Sequence, residues 1–235
     1  MKRLILALVC LGLCGTTLAK GKGSDSAQQL AKATAVVNEI MRTPDSSIPR
    51  DLLNKAVCVG IVPSEIKLAL GIGGAYGRGV LICRKGGNGP WGAPSMFTLG
   101  GANIGFQIGG KATDRVFLVM NPEGARKLLQ DDVKLGAELS VAAGPVGRSS
   151  EGATDAQLHA EILSYSRSRG LFAGASLDGA VLKQDKEDNA ELYGRKVEAS
   201  DILIKGSILP PAAAGALRSA LNKYSPHGGE PFSNA

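Results

Sequence analysis

Residues 71–84 read GIGGAYGRGVLICR, either a glycine loop that cradles phosphate or a glycine-rich strand. A dinucleotide-binding loop needs glycines at i, i+2 and i+5, after a strand and before a helix. The glycines here stand at 71, 73, 74, 77 and 79, and no choice of i meets that spacing. A phosphate loop fails too, because no Gly-Lys-Ser/Thr closes the run. The glycines lead into Val80-Leu81-Ile82-Cys83, a β-branched, strand-like segment. The stretch therefore reads as a strand whose glycines permit sharp curvature or close approach of another element.

Working outward, the same pattern recurs. In MFTLGGANIGFQIGG, Ala102, Ile104, Phe106 and Ile108 alternate with Gly101, Asn103, Gly105, Gln107 and Gly109, a period of two with one face on a core. Further strands are expected at 56–62, 115–120, 139–143, 160–166 and 171–182, with a turn or short helix beginning at Pro63-Ser64. Helical spacing appears over 26–42, where Leu30, Ala33, Val37, Ile40 and Met41 form a stripe and Thr43-Pro44-Asp45 stops it. Shorter helices are expected over 50–55, from the Asn121 cap with Pro122 and Glu123 to about 130, and at 200–205 and 211–224. A short segment at 189–197 centres on Tyr193-Gly194. The fold class is α+β: a strongly curved, mainly antiparallel, Gly-rich sheet, barrel-like, with N- and C-terminal helices. One domain is expected over 26–225, with a disordered tail at 226–235.

The chain opens with Lys2-Arg3, an apolar run Leu4–Leu13 and a small-residue end at Thr17-Leu18-Ala19, the pattern of a secretory signal peptide at 1–19. The expectation is an exported protein, periplasmic or extracellular, soluble or peripheral on a membrane. Loss of Lys2 and Arg3 lowers the formal charge of +6 to +4, a mild excess that suits an anionic surface. Dispersed charge and few aromatics argue against nucleic acid. Cys10 and Cys14 leave with the leader; Cys58 and Cys83 remain, either a disulfide or two buried thiols.

No catalytic constellation emerges, and the chain is read as non-enzymatic with no cofactor or metal. His159 reads as a partly exposed strand histidine near Glu161, and His227 falls in the tail. Gly174-Ala175-Ser176-Leu177-Asp178 lacks the second glycine of a nucleophile elbow. Ser64-Glu65-Ile66-Lys67 matches Ser-x-x-Lys without its companion motifs, and Ser64 after Pro63 reads as a helix cap. The acidic pairs Asp131-Asp132 and Glu187-Asp188 read as solvated faces.

Binding is left, with three candidate surfaces. The helix at 26–42, with Lys32 and Arg42, either lies in a membrane interface or packs on the domain. Trp91, with Arg84 and Lys85 beside it, suits a headgroup boundary or pins a loop. Arg167 and Arg169 flank a tight turn, where they grip phosphate or discourage edge pairing of strands.

In order along the chain, IPRDLLNKAVCVGIVPS (48–64), GGAYGRGVLICR (73–84), WGAPSMFTLGGANIGFQIG (91–109), AAGPVGR (142–148) and ILSYSRSRGLFAGASLDGA (162–180) resemble the SYLF domain family, as do YG (193–194) and DILIKG (201–206) after them. The resemblance covers roughly 26–210. It implies binding of phosphoinositides and other anionic phospholipids through a basic surface and an amphipathic N-terminal helix, here 26–42 with Lys32 and Arg42. Some eukaryotic members also bind actin. The leader, and the lack of an SH3 domain in this sequence, make it look like a stand-alone exported bacterial form. The expected partner is then an anionic bacterial phospholipid surface, the alternative a protein partner in a scaffold role.

Overall fold

The computed structural model describes residues 25–43, 45, 47–70, 72–103, 109–168 and 171–226. The expected leader, Ile104, Phe106 and Ile108 of the alternating run, Arg169, His227 and the tail from 227 lie outside them. Among the described residues nine strands form one curled sheet: β1 (Cys58–Leu70), β2 (Ile72–Arg84), β3 (Trp91–Asn103), β4 (Gly109–Val119), β5 (Val133–Lys134), β6 (Val141–Ala143), β7 (Ile162–Ser168), β8 (Leu171–Gly174) and β9 (Ala180–Gln184). Their order is β5-β9-β3-β2-β1-β4-β7-β6, with β8 on β7. The pairs are antiparallel except β6–β7. The architecture is α+β, a mixed sheet curled into a half-barrel with helices at both ends of the chain.

Each face of the sheet has its own core. On one, Val59, Ile61, Val80, Ile82, Val116 and Leu118 meet α1 (Asp25–Met41), α2 (Arg50–Lys55) and α7 (Gly215–Tyr224). On the other, Leu81, Phe97, Leu99, Phe117 and Leu182 meet α3 (Pro122–Lys127) and α6 (Ala199–Leu203). The remaining helices are α4 (Asp155–His159) and α5 (Lys186–Tyr193).

Two strand glycines explain the opening stretch. Gly79 pairs with Phe97 and Gly60 with Phe117. A Cβ on Gly60 would lie 2.0 Å from the Phe117 ring, and one on Gly79 would lie 2.4 Å from that of Phe97. Each ring lies across the bare backbone opposite, and the two rings meet edge to face at 5.7 Å. Glycine here makes room for aromatic cover.

The first strand differs from expectation. It continues through Pro63-Ser64 to Leu70, although a proline inside a central strand should break the ladder. A bulge resolves the conflict: the register shifts between Val62 and Glu65, and Ser64 takes φ +55°. The Ser64 N–H, turned out of the ladder, donates to Asp114 Oδ1 at 2.9 Å.

Other boundaries differ for local reasons. The strand expected at 171–182 is two, β8 and β9, separated by a loop in which Gly179 takes φ +78°. Residues 155–159 are helical, started by a capping box in which Thr154 accepts from the Gln157 N–H and Gln157 reaches back. His159 therefore ends a helix, its Nδ1 bonded to the Asp155 carbonyl, and is not on a strand. The segment around Tyr193-Gly194 is α5, capped by Asp185 at its start and by left-handed Gly194 at its end.

Candidate functional site

The stripe expected on the first helix exists, and the core uses it. Leu30, Ala33, Val37, Ile40 and Met41 are all buried against the sheet, α2 and α7. Polar contacts fix both ends of α1. Ser26 Oγ donates to Glu191 Oε2 at 2.7 Å and to the Asp188 carbonyl at 3.2 Å. Gln29 Nε2 donates to the Arg78 carbonyl on β2. Glu39 pairs with Arg167 on β7. The helix thus crosses the curled sheet and turns its other face, with Lys32 and Ala35, outward.

The expectation of a headgroup-facing Trp91 and Arg84 is overturned. Both side chains are 0 % exposed. The guanidinium lies 4.1 Å from the indole centroid and donates to the carbonyls of Ala56 (3.0 Å), Gly89 (3.2 Å) and Ser225 (3.3 Å). Trp91 Nε1 donates to the same Ser225 carbonyl at 3.0 Å. Burial lowers the Arg84 pKa to about 10, which leaves it charged at neutral pH. The physical reason is a clamp: the backbone between α2 and β1, in the β2–β3 loop and after α7 has carbonyls with no ladder partner, and one buried guanidinium satisfies several of them. Lys85, the next residue, is exposed.

Arg167 is engaged as well. Its Nη2 lies 2.6 Å from Asp114 Oδ2, and its other arm meets Glu39. This network links α1, β4 and β7, so Arg167 is no free phosphate grip; Arg169 lies outside the described residues. Asp188, read as part of a solvated face, pairs with Arg78. Burial raises the Asp188 carboxyl above its usual range, and its hydrogen bond raises Arg78 in turn. Glu65 and Arg115 form a buried pair at 2.7 Å, with Arg115 also on the Ser176 carbonyl. Ser64, at the bulge beside it, is a conformational element and not a helix cap.

With these pairs assigned, the exposed cations of the α1–α2 side stand out. Lys32, Arg42, Arg50 and Lys55 are exposed, and none has an acidic partner among the described residues. The first two are legible in the sequence. Arg50 and Lys55 read there only as part of a short helix, although Arg-x4-Lys spacing brings them to neighbouring turns. Cys58 and Cys83 are opposed in the β1–β2 register and joined by a disulfide with S–S 2.01 Å. Among the described residues, no group of three or more His, Cys, Asp or Glu is placed to hold a metal, and no helix is long and apolar enough to cross a membrane.

The class these features define is a small α+β domain with a helix-capped, half-barrel sheet. Residues 100–224, more than half of the chain, match the family model Ysc84, described as "Las17-binding protein actin regulator". The chain belongs to this family, whose domain is the SYLF domain. It is 37 % identical over 177 residues to LAS seventeen-binding protein 3 of Saccharomyces cerevisiae, covering 74 % of this chain and 38 % of that protein. It is 35 % identical over 177 residues to Protein YSC84 of the same yeast, covering 74 % of this chain and 37 % of that one. With human SH3 domain-containing YSC84-like protein 1 the identity is 32 % over 206 residues, 87 % of this chain and 59 % of that protein. The chain thus spans less than two thirds of each of these relatives.

Proposed function

We propose that this chain is an exported, non-enzymatic binding module that docks peripherally on an anionic phospholipid surface. The observation that carries the reading is the set of exposed, unpaired cations Lys32, Arg42, Arg50 and Lys55 on the α1–α2 side. Many other described cations sit in ion pairs or are buried, while Lys85, Lys134, Arg195, Lys196 and Lys223 are also exposed. Near an anionic surface each free cation contributes about 1 kcal/mol, weakened by salt. The leader pattern at 1–19 and the Cys58–Cys83 disulfide support an oxidising compartment. The family description and the relatives' names, which speak of binding and regulation, support a role without catalysis.

The burial of α1 changes the expected mode. Insertion of its apolar stripe would first lift Leu30, Val37 and Ile40 out of the core, at about 1.5–3 kcal/mol each. Contact is instead made by the outer, cationic face, with α1 left in place.

Co-sedimentation of the purified protein with neutral and anionic vesicles, at low and moderate salt, tests the reading. Salt-sensitive binding to anionic vesicles alone is expected. No binding at either salt overturns it. A protein-partner reading is favoured by one observation, the relatives named for Las17 binding and the family described as an actin regulator. Co-sedimentation with filamentous actin, run without lipid, is its direct test.

A further inference from the structure

Beside the end of α1 the surface opens into a cavity of about 230 Å³, lined by Met41, Ser47, Arg50, Gly147 and Arg148. Three segments meet there: the last turn of α1, the stretch leading into α2 and the loop that follows β6. The Gly147 N–H donates to the Ser47 carbonyl at 3.0 Å, which ties that loop to the approach to α2. Gly147 takes φ +135°, and nothing stands within 4 Å of where its Cβ would be. The backbone on that wall is therefore open to close approach.

Two of the lining residues carry guanidiniums, and among the described residues no carboxylate lines the cavity. Arg50 is exposed and has no acidic partner among the described residues. Arg148 has one: its Nε lies 2.7 Å from Asp45 Oδ1, and the two side chains are 74 % and 78 % exposed. An ion pair so open to water contributes little and exchanges readily. Asp45 thus shows the chemistry that Arg148 accepts, an oxyanion, held weakly. The other nearby acid, Asp51, is engaged elsewhere, where its Oδ2 accepts from Ser150.

Charge and oxygen count select the occupant. A carboxylate or a phosphodiester carries one charge and offers Arg148 no more than Asp45 already does. A phosphomonoester carries about 1.5–2 negative charges at neutral pH and three free oxygens. It can meet both guanidinium forks at once, the arrangement in which arginine grips phosphate. The cavity is also smaller than the roughly 300–1,000 Å³ of drug-sized ligand sites, which suits a terminal phosphate group.

We propose that this cavity is a phosphomonoester site, with Arg50 and Arg148 as its clamp and Asp45 as the carboxylate that the phosphate displaces from Arg148. The site goes beyond the lipid reading and does not rest on it, because a phosphomonoester headgroup and a soluble phosphate ester present the same group.

The test is calorimetric titration of the purified protein with glycerol 3-phosphate, beside co-sedimentation with phosphatidic acid or phosphatidylglycerol vesicles of matched surface charge. The first lipid ends in a phosphomonoester, the second in a diester. Saturable binding of glycerol 3-phosphate by wild type is expected. Arg50→Gln/Arg148→Gln should weaken it by about tenfold or more, and Asp45→Asn, which removes the internal competitor, should tighten it. All three side chains are exposed, so thermal unfolding should be unchanged. A preference for phosphatidic acid that the glutamine pair abolishes identifies a lipid headgroup as the source. Glycerol 3-phosphate binding without that preference, or with no vesicle binding at all, identifies a soluble ester; in the second case the lipid reading falls and the site stands. Phosphate binding or a phosphatidic acid preference that survives in the glutamine pair overturns the site. So does wild type that neither binds glycerol 3-phosphate nor prefers phosphatidic acid, and the lipid reading then stands if both kinds of vesicle still bind.

Discussion

At the residue scale, the closest constraints are where a backbone or a charge has no alternative place. Gly60 has a ring 2.0 Å from where its Cβ would be, so Gly60→Ala must push Phe117 aside in a packed layer. The expected loss is about 1–3 kcal/mol by denaturant unfolding, and a double-mutant cycle with Phe117→Leu should recover part of it. Arg84 poses the polar counterpart. Arg84→Met keeps the stem but strips donors from the Ala56, Gly89 and Ser225 carbonyls, which stay buried. A destabilisation of about 3 kcal/mol or more is expected, with a shifted Trp91 emission because the indole loses its stacked cation. Glu161 carries a pH signature. Burial alone would raise its carboxyl, but hydrogen bonds from Lys127 and from Ser140 outweigh it and hold the group below the usual range. A depressed folded value means stability present above the unfolded value and lost as pH falls through the folded one. Glu161→Gln should therefore melt earlier than wild type at pH 7, and the gap should close as pH drops below about 4.5; melting temperatures across that range would show it. Asp188, raised by burial, carries the opposite sign.

At the element scale, how much the sequence discloses depends on how local each signal is. Every residue of the expected α1 stripe is buried, joined by Ser26, Gln29 and Val36, because helical period and burial are the same fact seen twice. The Gly-interrupted strands are legible as a curled sheet for the same reason. The capping box Thr154-x-x-Gln157 is equally local, but the five-residue helix it starts buries nothing and so carries no apolar period to mark it. Pro63-Ser64 is illegible: whether it is a turn or a bulge depends on Asp114, fifty positions away, taking the freed N–H. The site suffers most from this non-locality. Arg84, Trp91 and Arg167 have the composition of a lipid surface, but their partners are Ser225, Asp114 and Glu39, distant in sequence. Conversely, Tyr76 sits in a run that reads as ordinary strand and Ile66 in one that reads as a turn or short helix, yet the two are direct cross-strand partners and both are exposed. The β1–β2 pair also carries the disulfide, which joins Cys58 and Cys83 across a sequence separation of 25. Replacing both by alanine should lower unfolding stability by about 2–4 kcal/mol without altering vesicle binding, since both cysteines are buried.

At the scale of the whole molecule, the exposed pair Ile66 and Tyr76 lies on the face of the sheet that α1 covers. Charged and apolar groups respond differently to salt. The attraction of Lys32, Arg42, Arg50 and Lys55 for phosphates is Coulombic and shrinks as the Debye length falls from about 10 Å at 0.1 M to about 3 Å at 1 M. The transfer of Ile66 and Tyr76 out of water is not weakened by salt in that way. Lys32→Glu/Arg42→Glu should therefore reduce binding strongly at low salt, by tenfold or more at about 1 kcal/mol per cation lost and again for each repulsion gained, and flatten the salt dependence. Ile66→Ser/Tyr76→Ser should leave the slope unchanged. Titration of vesicle binding against salt for the two variants reads both slopes at once. A serine pair that flattens the slope, or a charge reversal that leaves it steep, would show that the salt dependence does not come from the cations of the α1–α2 side.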